Sequence, residues 1–341
     1  MNPLQYIYYL GLMWKKQRVV KRRRRLPHKV VSIGNLTVGG TGKTPAAIAL
    51  AEEAIRRGLN PVILTRGYKG TLKEGPCFIS HGSGPIVSPK EGGDEPVLMA
   101  RRLSGVEIIR GANRYEAGLL SQKGNFFILD DGFQHWALHR DIDIVLIDST
   151  NPFGQGGLLP TGRLREPVDE LKRADFIVKT KMNDPSKEPY TAGYSIGGIS
   201  IPKPASSNYI YGAAQRPTHL YGADGATYPL SHISGKRALA YCAIGNPRGF
   251  SQTIASLGAE IVHVMPFRDH HYYTRADAQR ILQMASSHRA DIIITTEKDM
   301  VKLPEALRGS SVMALCIDFM VNADFYGEVF NLTLSSTANA Q

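Results

Sequence analysis

The residues best suited to chemistry lie in one run, Val30 to Pro45, which reads V-V-S-I-G-N-L-T-V-G-G-T-G-K-T-P. A hydrophobic strand leads into Gly39, Gly40, Thr41, Gly42, Lys43 and Thr44, and a helical stretch follows. Glycines there let backbone N–H groups converge on phosphate oxygens, and the helix N-terminus adds positive potential. Lys43 is spaced to reach the β- and γ-phosphates of a nucleotide, and Thr44 to hold Mg2+. One departure from the usual G-x-x-x-x-G-K-T spacing is Thr37, which stands where the first Gly is expected.

Phosphoryl transfer also needs a carboxylate at the metal and a base for the acceptor. Phe126 to Asp131 is an apolar run ending in Asp130 and Asp131, as a metal-facing strand would. Ile144 to Asp148 has the same form; the first run is favoured because Gly132-Phe133-Gln134-His135 follows with more polar groups. Gly93-Asp94-Glu95-Pro96 sets Asp94 in a tight turn, either as an Asx turn or as a catalytic acid, and the local pattern leaves both open. Phe267 to Tyr272 (F-R-D-H-H-Y) concentrates titratable groups after a strand. Adjacent histidines rarely face one ion, so a base role for one of them is favoured over metal ligation. Arg66, Arg114, Arg163 and Arg165 lie in or near Gly-containing loops suited to phosphate recognition. Thr295 to Asp299 (T-T-E-K-D) ends a strand, as a nucleotide or substrate contact or as a helix cap.

The elements that must position these groups alternate between strand and helix. Val30 to Gly34, Pro61 to Thr65, Val106 to Ile109, Phe126 to Leu129, Ile142 to Ile147 and Phe176 to Lys179 read as strands, with a helix over Pro45 to Arg57 stopped by Gly58. This pattern predicts an α/β fold, a P-loop NTPase-like doubly wound sheet. Gly70 to Gly93 reads as an irregular excursion. Asn183 to Ser207, rich in Pro, Gly, Ser and Lys, reads as a boundary. Two short strands are expected at Tyr209 to Tyr211 and Thr218 to Tyr221, before a second α/β pattern with strands at Ala238 to Ile244, Glu260 to Pro266 and Asp291 to Thr295. The expected units are an N-terminal segment (1–28), a phosphate-loop domain (29–204), a segment carrying the two short strands (205–222) and a smaller C-terminal α/β domain (223–341) whose polar tail begins at Thr333.

Charge is concentrated rather than spread. The 341 residues carry a net charge of +11, and Lys15, Lys16, Arg18, Lys21, Arg22, Arg23, Arg24 and Arg25 supply eight of those charges, leaving +3 for the rest. That distribution argues against a nucleic-acid partner. Pro3 to Trp14, just before the basic run, is apolar and aromatic but well short of the roughly 20 residues a spanning helix needs. The charges follow the apolar stretch and no cleavage site succeeds it, unlike a secretory signal. The segment reads as a helix lying on an anionic membrane surface. Cys77, Cys242 and Cys316 show no metal-ligand spacing.

Taken in order, G-N-L-T-V-G-G-T-G-K-T-P, T-R-G-Y, G-D-E-P, D-D-G-F-Q-H, R-E-P, F-x-D-H and T-E-K-D resemble the tetraacyldisaccharide 4′-kinase family of lipid A biosynthesis, over roughly Pro3 to Leu303. Thr37 belongs to that family's own pattern. The resemblance implies two α/β/α domains joined by a two-stranded linker. It also implies ATP- and Mg2+-dependent phosphorylation of the 4′-hydroxyl of a tetraacyl glucosamine disaccharide 1-phosphate, by a monomer on the cytoplasmic face of the bacterial inner membrane. Carried over by motif, Lys43 and Thr44 would bind phosphates and Mg2+, with Asp130, Asp131 and Glu166 around the metal. Asp94 would be the catalytic carboxylate, paired with His270. Arg66, Arg114, Gln134, His135 and Arg165 would line the nucleotide or substrate site.

Two rival readings fit less well. A partitioning-type ATPase carries a lysine at the start of the G-G-x-G-K-T loop, where this chain has Val38. A GTPase would need an acid to complete Thr180-Lys181-Met182-Asn183 as a guanine-reading motif.

Overall fold

The computed structural model of the chain describes residues 2–67, 70–72 and 75–335. Tyr68 of T-R-G-Y and the tail beyond Ser335 lie outside the described residues. Helix α1 (Pro3–Val20) leads to β1 (Lys29–Gly34), α2 (Lys43–Arg56), β2 (Pro61–Thr65), β3 (Cys77–His81), the one-turn α3 (Pro89–Gly92) and α4 (Asp94–Arg102). Then come β4 (Glu107–Arg110), α5 (Arg114–Leu119), β5 (Phe126–Asp130), β6 (Ile142–Asp148), β7 (Phe176–Thr180) and β8 (Ser186–Pro189). The short β9 (Ser195–Ile196) and β10 (Ile199–Ser200) precede the long β11 (Tyr209–Gly222) and its partner β12 (Thr227–Tyr228). The chain ends with β13 (Arg237–Cys242), α6 (Pro247–Ser256), β14 (Glu260–Pro266), α7 (Arg275–Ser287), β15 (Ile292–Thr296), α8 (Glu297–Met300), β16 (Val312–Val321) and α9 (Asp324–Ser335).

One sheet runs β14-β13-β15-β16-β11-β7-β6-β1-β5-β2-β4-β3, with β8 and β12 also on β11. Strands β1, β2, β4, β5, β6 and β7 pair in parallel, and β3 closes the edge antiparallel. Their near-continuous Val/Ile/Leu/Phe composition follows from burial on both faces, which parallel sheets impose. From β1 the chain goes out to β2, β3 and β4 on one side, comes back to β5 between β1 and β2, then crosses to β6 and β7 on the other. The carboxyl end of β1 therefore lies at the reversal of strand order, where such sheets open a crevice.

Helix α2 turns Ala46, Ala47, Leu50, Ala51 and Ala54 onto Val31, Ile33, Ile63 and Ile128, forming the larger core. The last helix returns to it: Phe325, Val329 and Phe330 of α9 sit in the same cluster, with Phe330 stacked on Phe126 at 5.2 Å. Thr333 to Ser335, expected as tail, belong to this helix. Two smaller clusters cover the opposite faces of the β13–β16 region.

The two short strands expected at Tyr209 to Tyr211 and Thr218 to Tyr221 are one 14-residue strand. Gly212, Ala213 and Ala214 lack the large side chains that mark a strand in sequence, yet they are buried there. Pro217 sits at a register shift with β16, where its missing N–H does least harm. The strand is parallel to β7 over Ile210 to Gly212 and antiparallel to β16 over Ala213 to Gly222.

Candidate active site

The crevice is built from the loops after β1, β5, β6 and β14 and from the start of α4. Gly34 ends β1 because a Cβ there would lie 2.7 Å from the Phe133 backbone nitrogen, so the two loops can close on each other only without a side chain. Gly42 (φ 89°) then turns the chain into α2, whose first residue is Lys43. The Lys43 ammonium donates to Asn35 Oδ1 at 3.1 Å and lies 3.6 Å from Asp131 Oδ1. Asn35 is held in turn: its Nδ2 donates to Thr37 O at 2.8 Å, and Gln134 Nε2 donates to Asn35 O at 2.9 Å.

Asp130 and Asp131 end β5 beside β1. Asp131 occupies the left-handed region (φ 52°), a conformation that costs a non-glycine residue energy and turns its carboxylate toward Lys43. Arg165 Nη1 donates to both its oxygens at 2.9 Å. Burial pushes the Asp131 carboxyl up, but Lys43 and Arg165 outweigh that and hold it below its ordinary range. Asp130 is different. It accepts from Thr65 Oγ1 at 3.1 Å through Oδ2, while Oδ1 is buried without a hydrogen-bond partner. Burial, then the charges of Glu95 and Asp131, push it up to about 7. Asp148, at the end of the rival strand, is instead ion-paired to Lys181.

Gly93 (φ 94°) opens α4 at Asp94, whose side chain is 3 % exposed. His270 Nδ1 lies 3.0 and 2.9 Å from the two Asp94 oxygens, Glu95 N–H donates to Oδ1 at 3.0 Å, and Lys302 Nζ donates to Oδ2 at 3.2 Å. Burial raises the Asp94 carboxyl, yet His270, Lys298 and Lys302 overcome it and hold the group down to about 2. His270, like Asp131, is left-handed (φ 63°). Its Nε2 is 3.2 Å from Lys298 Nζ, which also donates to Glu95 at 3.1 Å. A carboxylate that fixes a ring nitrogen leaves the opposite nitrogen to exchange a proton.

Of the other expected residues, Gln134 joins the Lys43 network and Arg165 the Asp131 pair. Arg114 is buried, donates to Gly111 O at 2.9 Å, and is lowered to about 10 by burial against the opposing pull of Asp130 and Asp131. His135 is brought down to about 3 by burial and by Arg114 and Arg140, so its ring is neutral. Arg66 is exposed beside Arg114. Glu166, expected near the metal, is fully enclosed and paired with Arg173 at 2.6 Å. Sequence reading missed Asn35, Thr65 and above all Lys302. The last stands four residues after Lys298, about one helical turn, and that spacing was the available signal.

A family model described as Tetraacyldisaccharide-1-P 4′-kinase matches residues 1–334. The tetraacyldisaccharide 4′-kinase of Syntrophus aciditrophicus is 42% identical over 305 residues, covering 87% of this chain and 82% of that one. Its counterpart from Halothermothrix orenii is 39% identical over 284 residues, covering 80% and 74%. The crystal structure of LpxK from Aquifex aeolicus in complex with ATP superposes with a TM-score of 0.74 at 28% identity, covering 97% of this chain and 98% of that one.

Proposed function

The chain belongs to the tetraacyldisaccharide-1-P 4′-kinase family, and on that premise we propose that it transfers the γ-phosphoryl of ATP to the 4′-hydroxyl of a tetraacyl glucosamine disaccharide 1-phosphate. The product is the 1,4′-bisphosphate. The observation that carries the reading is the convergence of two assemblies: Lys43 beside the carboxylate pair at the end of β5, and Asp94 held against His270 at 2.9 Å.

The first assembly suits nucleotide phosphates. Glycines 39, 40 and 42 free the loop backbone to approach them, and Lys43, parked on Asn35 and Asp131, exchanges those partners for phosphate oxygens. The donor set suits Mg2+, a hard cation that takes oxygen ligands. Asp130 supports the fit most directly, with an unpartnered buried oxygen and a proton affinity raised by burial and then by the carboxylates of Glu95 and Asp131. Thr44, Asp130 and Asp131 would hold the ion, which when bound offsets charge on the β- and γ-phosphates. Glu166 acts from behind, its carboxylate bracing Arg173.

The second assembly deprotonates the acceptor. A sugar hydroxyl needs a base within hydrogen-bond reach. Asp94, ionised and saturated with donors, is a weak proton acceptor; it orients His270, and the dyad takes the proton through the ring. Asp94 lies in the 29–204 unit and His270 in the 223–341 unit, so the dyad assembles only when the two close about the 205–222 linker, which excludes water from the γ-phosphate. Equal ATP hydrolysis with and without the lipid acceptor would contradict that closure.

The acceptor is met at a membrane. No helix among the described residues is long and apolar enough to cross one. Helix α1 buries none of its residues and turns Leu4, Ile7, Leu10 and Trp14 outward, each 49–66 % exposed. Arg18 caps that stripe over the Trp14 ring at 4.4 Å, ahead of Lys21 and Arg22. This suits a helix seated at an anionic interface, the cytoplasmic face of the inner membrane. The test is γ-phosphoryl transfer from ATP to tetraacyldisaccharide 1-phosphate in detergent micelles, with Asp94→Ala alongside. Product from the wild type and a loss of about 10²–10⁴-fold in the variant are expected. Absence of any transfer to that lipid by the wild type, with ATP hydrolysis intact, overturns the reading.

A further inference from the structure

Between the phosphate loop and the segment after β6 lies a contact that none of the roles above uses. The backbones of Leu36–Val38 and Arg163–Arg165 run side by side. Val38 N–H donates to Arg163 O at 2.9 Å, Arg165 N–H to Leu36 O at 2.7 Å, and Thr37 forms an antiparallel bridge with Leu164. This strap limits where the Arg163 side chain can go. Its stem crosses Gly154, where a Cβ would lie 2.8 Å from Cβ and Cδ of Arg163. Its guanidinium ends on Gly39, where a Cβ would lie 2.5 Å from Nη2. The same Nη2 donates to Val38 O at 2.9 Å.

Both glycines have positive φ, 50° at Gly154 and 122° at Gly39. A side chain at either position would therefore be strained and would also collide with the arginine. Beyond Val38 O, the guanidinium has no hydrogen-bond or ion-pair partner among the described residues. Four of its five N–H donors are thus uncommitted at the rim of the loop. Arg165, two residues on, is spent on Asp131, and Arg114 on backbone carbonyls.

Gly39 stands four residues before Lys43, in the stretch whose backbone faces the β- and γ-phosphates. A guanidinium lying on it would come close to the oxygen that bridges those phosphates once nucleotide fills the loop. In transfer, the bond from the γ-phosphorus to the bridging oxygen breaks and its electron pair stays on that oxygen, which becomes a terminal oxygen of ADP. The new bond forms from the 4′-oxygen, whose proton passes to the Asp94–His270 dyad. Charge building on the leaving oxygen and the equatorial oxygens is what an arginine supplied in cis stabilises in phosphoryl transfer.

We propose that Arg163 is a catalytic residue of this kind, held ready by the Gly39 and Gly154 contacts and forking onto the β–γ bridge once nucleotide fills the loop. The inference rests on the kinase reading above. Arg163→Met keeps the stem between the glycines and removes only the fork, whereas Arg163→Lys keeps the charge as a point donor.

In single-turnover transfer to the lipid acceptor, Arg163→Met is expected to lose about 10³-fold in rate, and Arg163→Lys to recover only a small part. Binding of a fluorescent ATP analogue should change less than about threefold. A second readout needs no lipid: ADP with aluminium fluoride, a mimic of the transferring phosphoryl group, should bind the wild type far more tightly than ADP alone, and Arg163→Met should lose that gain. A wild type that transfers normally beside an Arg163→Met variant within about threefold of it overturns this inference alone. So does a rate loss matched by an equal loss of ATP affinity. A wild type that transfers nothing overturns the kinase reading, and this inference with it.

Discussion

Replacing Asp130 by Asn should make the ligand-free protein more stable, by an amount that grows as pH rises from about 4 to 7 and is complete above that. The carboxyl is buried, has one unpartnered oxygen and is pushed from 3.8 to about 7 by burial, Glu95 and Asp131. A folded-state value above the unfolded one means that the native state binds the extra proton. Stability contributed by this group is therefore full below about pH 4 and falls as pH rises towards 7. About 3 units at 1.36 kcal/mol each set an upper bound of roughly 4 kcal/mol for the cost of the ionised form. Asn carries no charge at any pH and keeps an oxygen for the Thr65 hydroxyl, so it escapes that cost. With an unfolding entropy of about 2.1 cal/mol/K per residue, 341 residues give about 0.7 kcal/mol/K, so Tm should rise by about 4–6 °C. Differential scanning calorimetry at pH 8.5 should show that rise, at pH 5 only about a third of it, and at pH 3.5 almost none. An equal shift at all three pH values, or a less stable variant at pH 8.5, would refute the reasoning. With Asp130 holding the ion as proposed, the same variant should also lose most of the thermal protection that Mg-ATP gives the wild type.

Three further outcomes follow from other groups. Lys302→Met removes the partner of both Asp94 and Asp299 from a side chain only 1 % exposed, and breaking such a buried pair should cost about 3–5 kcal/mol in denaturant unfolding. Asp94's folded value of about 2 lies below its ordinary 3.8, so its stabilisation is complete above about pH 4 and lost as pH falls towards 2; without Lys302 that loss, and the acidic limb of kcat/KM, should move to higher pH. Ile7→Asp with Trp14→Asp should abolish sedimentation with anionic vesicles while leaving ATP binding intact, because both side chains point outward.

Much of the fold was legible because parallel strands buried on both faces leave continuous apolar runs, and β1, β2, β5, β6 and β7 are such runs. The loop was legible for the same reason: strand, glycines, lysine and helix must follow in that order to hold phosphate. The ordered motifs named the family that the comparisons return. What escaped notice is non-local. β11 looked broken because Gly212, Ala213 and Ala214 carry little side chain, and nothing near them announces β16 as their partner. Nothing in α9 says that Phe330 returns to Phe126. Local pattern could not choose between the acids ending β5 and β6, since the difference lies in what faces each: Lys43 for Asp131, Lys181 for Asp148. Asp94 was undecided from its turn alone because its partners lie 176 and 208 residues away.

The ladder between β11 and β16 is the only strand pairing, among the described residues, that bridges the two halves of the sheet. Its backbone bonds are the same however the halves are angled, so they cannot favour one angle over another. That preference falls to the side chains that meet off the ladder. Some are apolar, Val301 and Phe319 with Phe325, Val329 and Phe330 of α9, all of which enter the first core; the rest are ionic: Arg102 with Glu297 and Asp318, Lys298 with Glu95, and His270 and Lys302 with Asp94. A neck two strands thick with a charged latch beside it behaves like a spring clip. Ionic strength and the charge of whatever enters the cleft set its grip, and a polyanionic nucleotide is the visitor best equipped to change it.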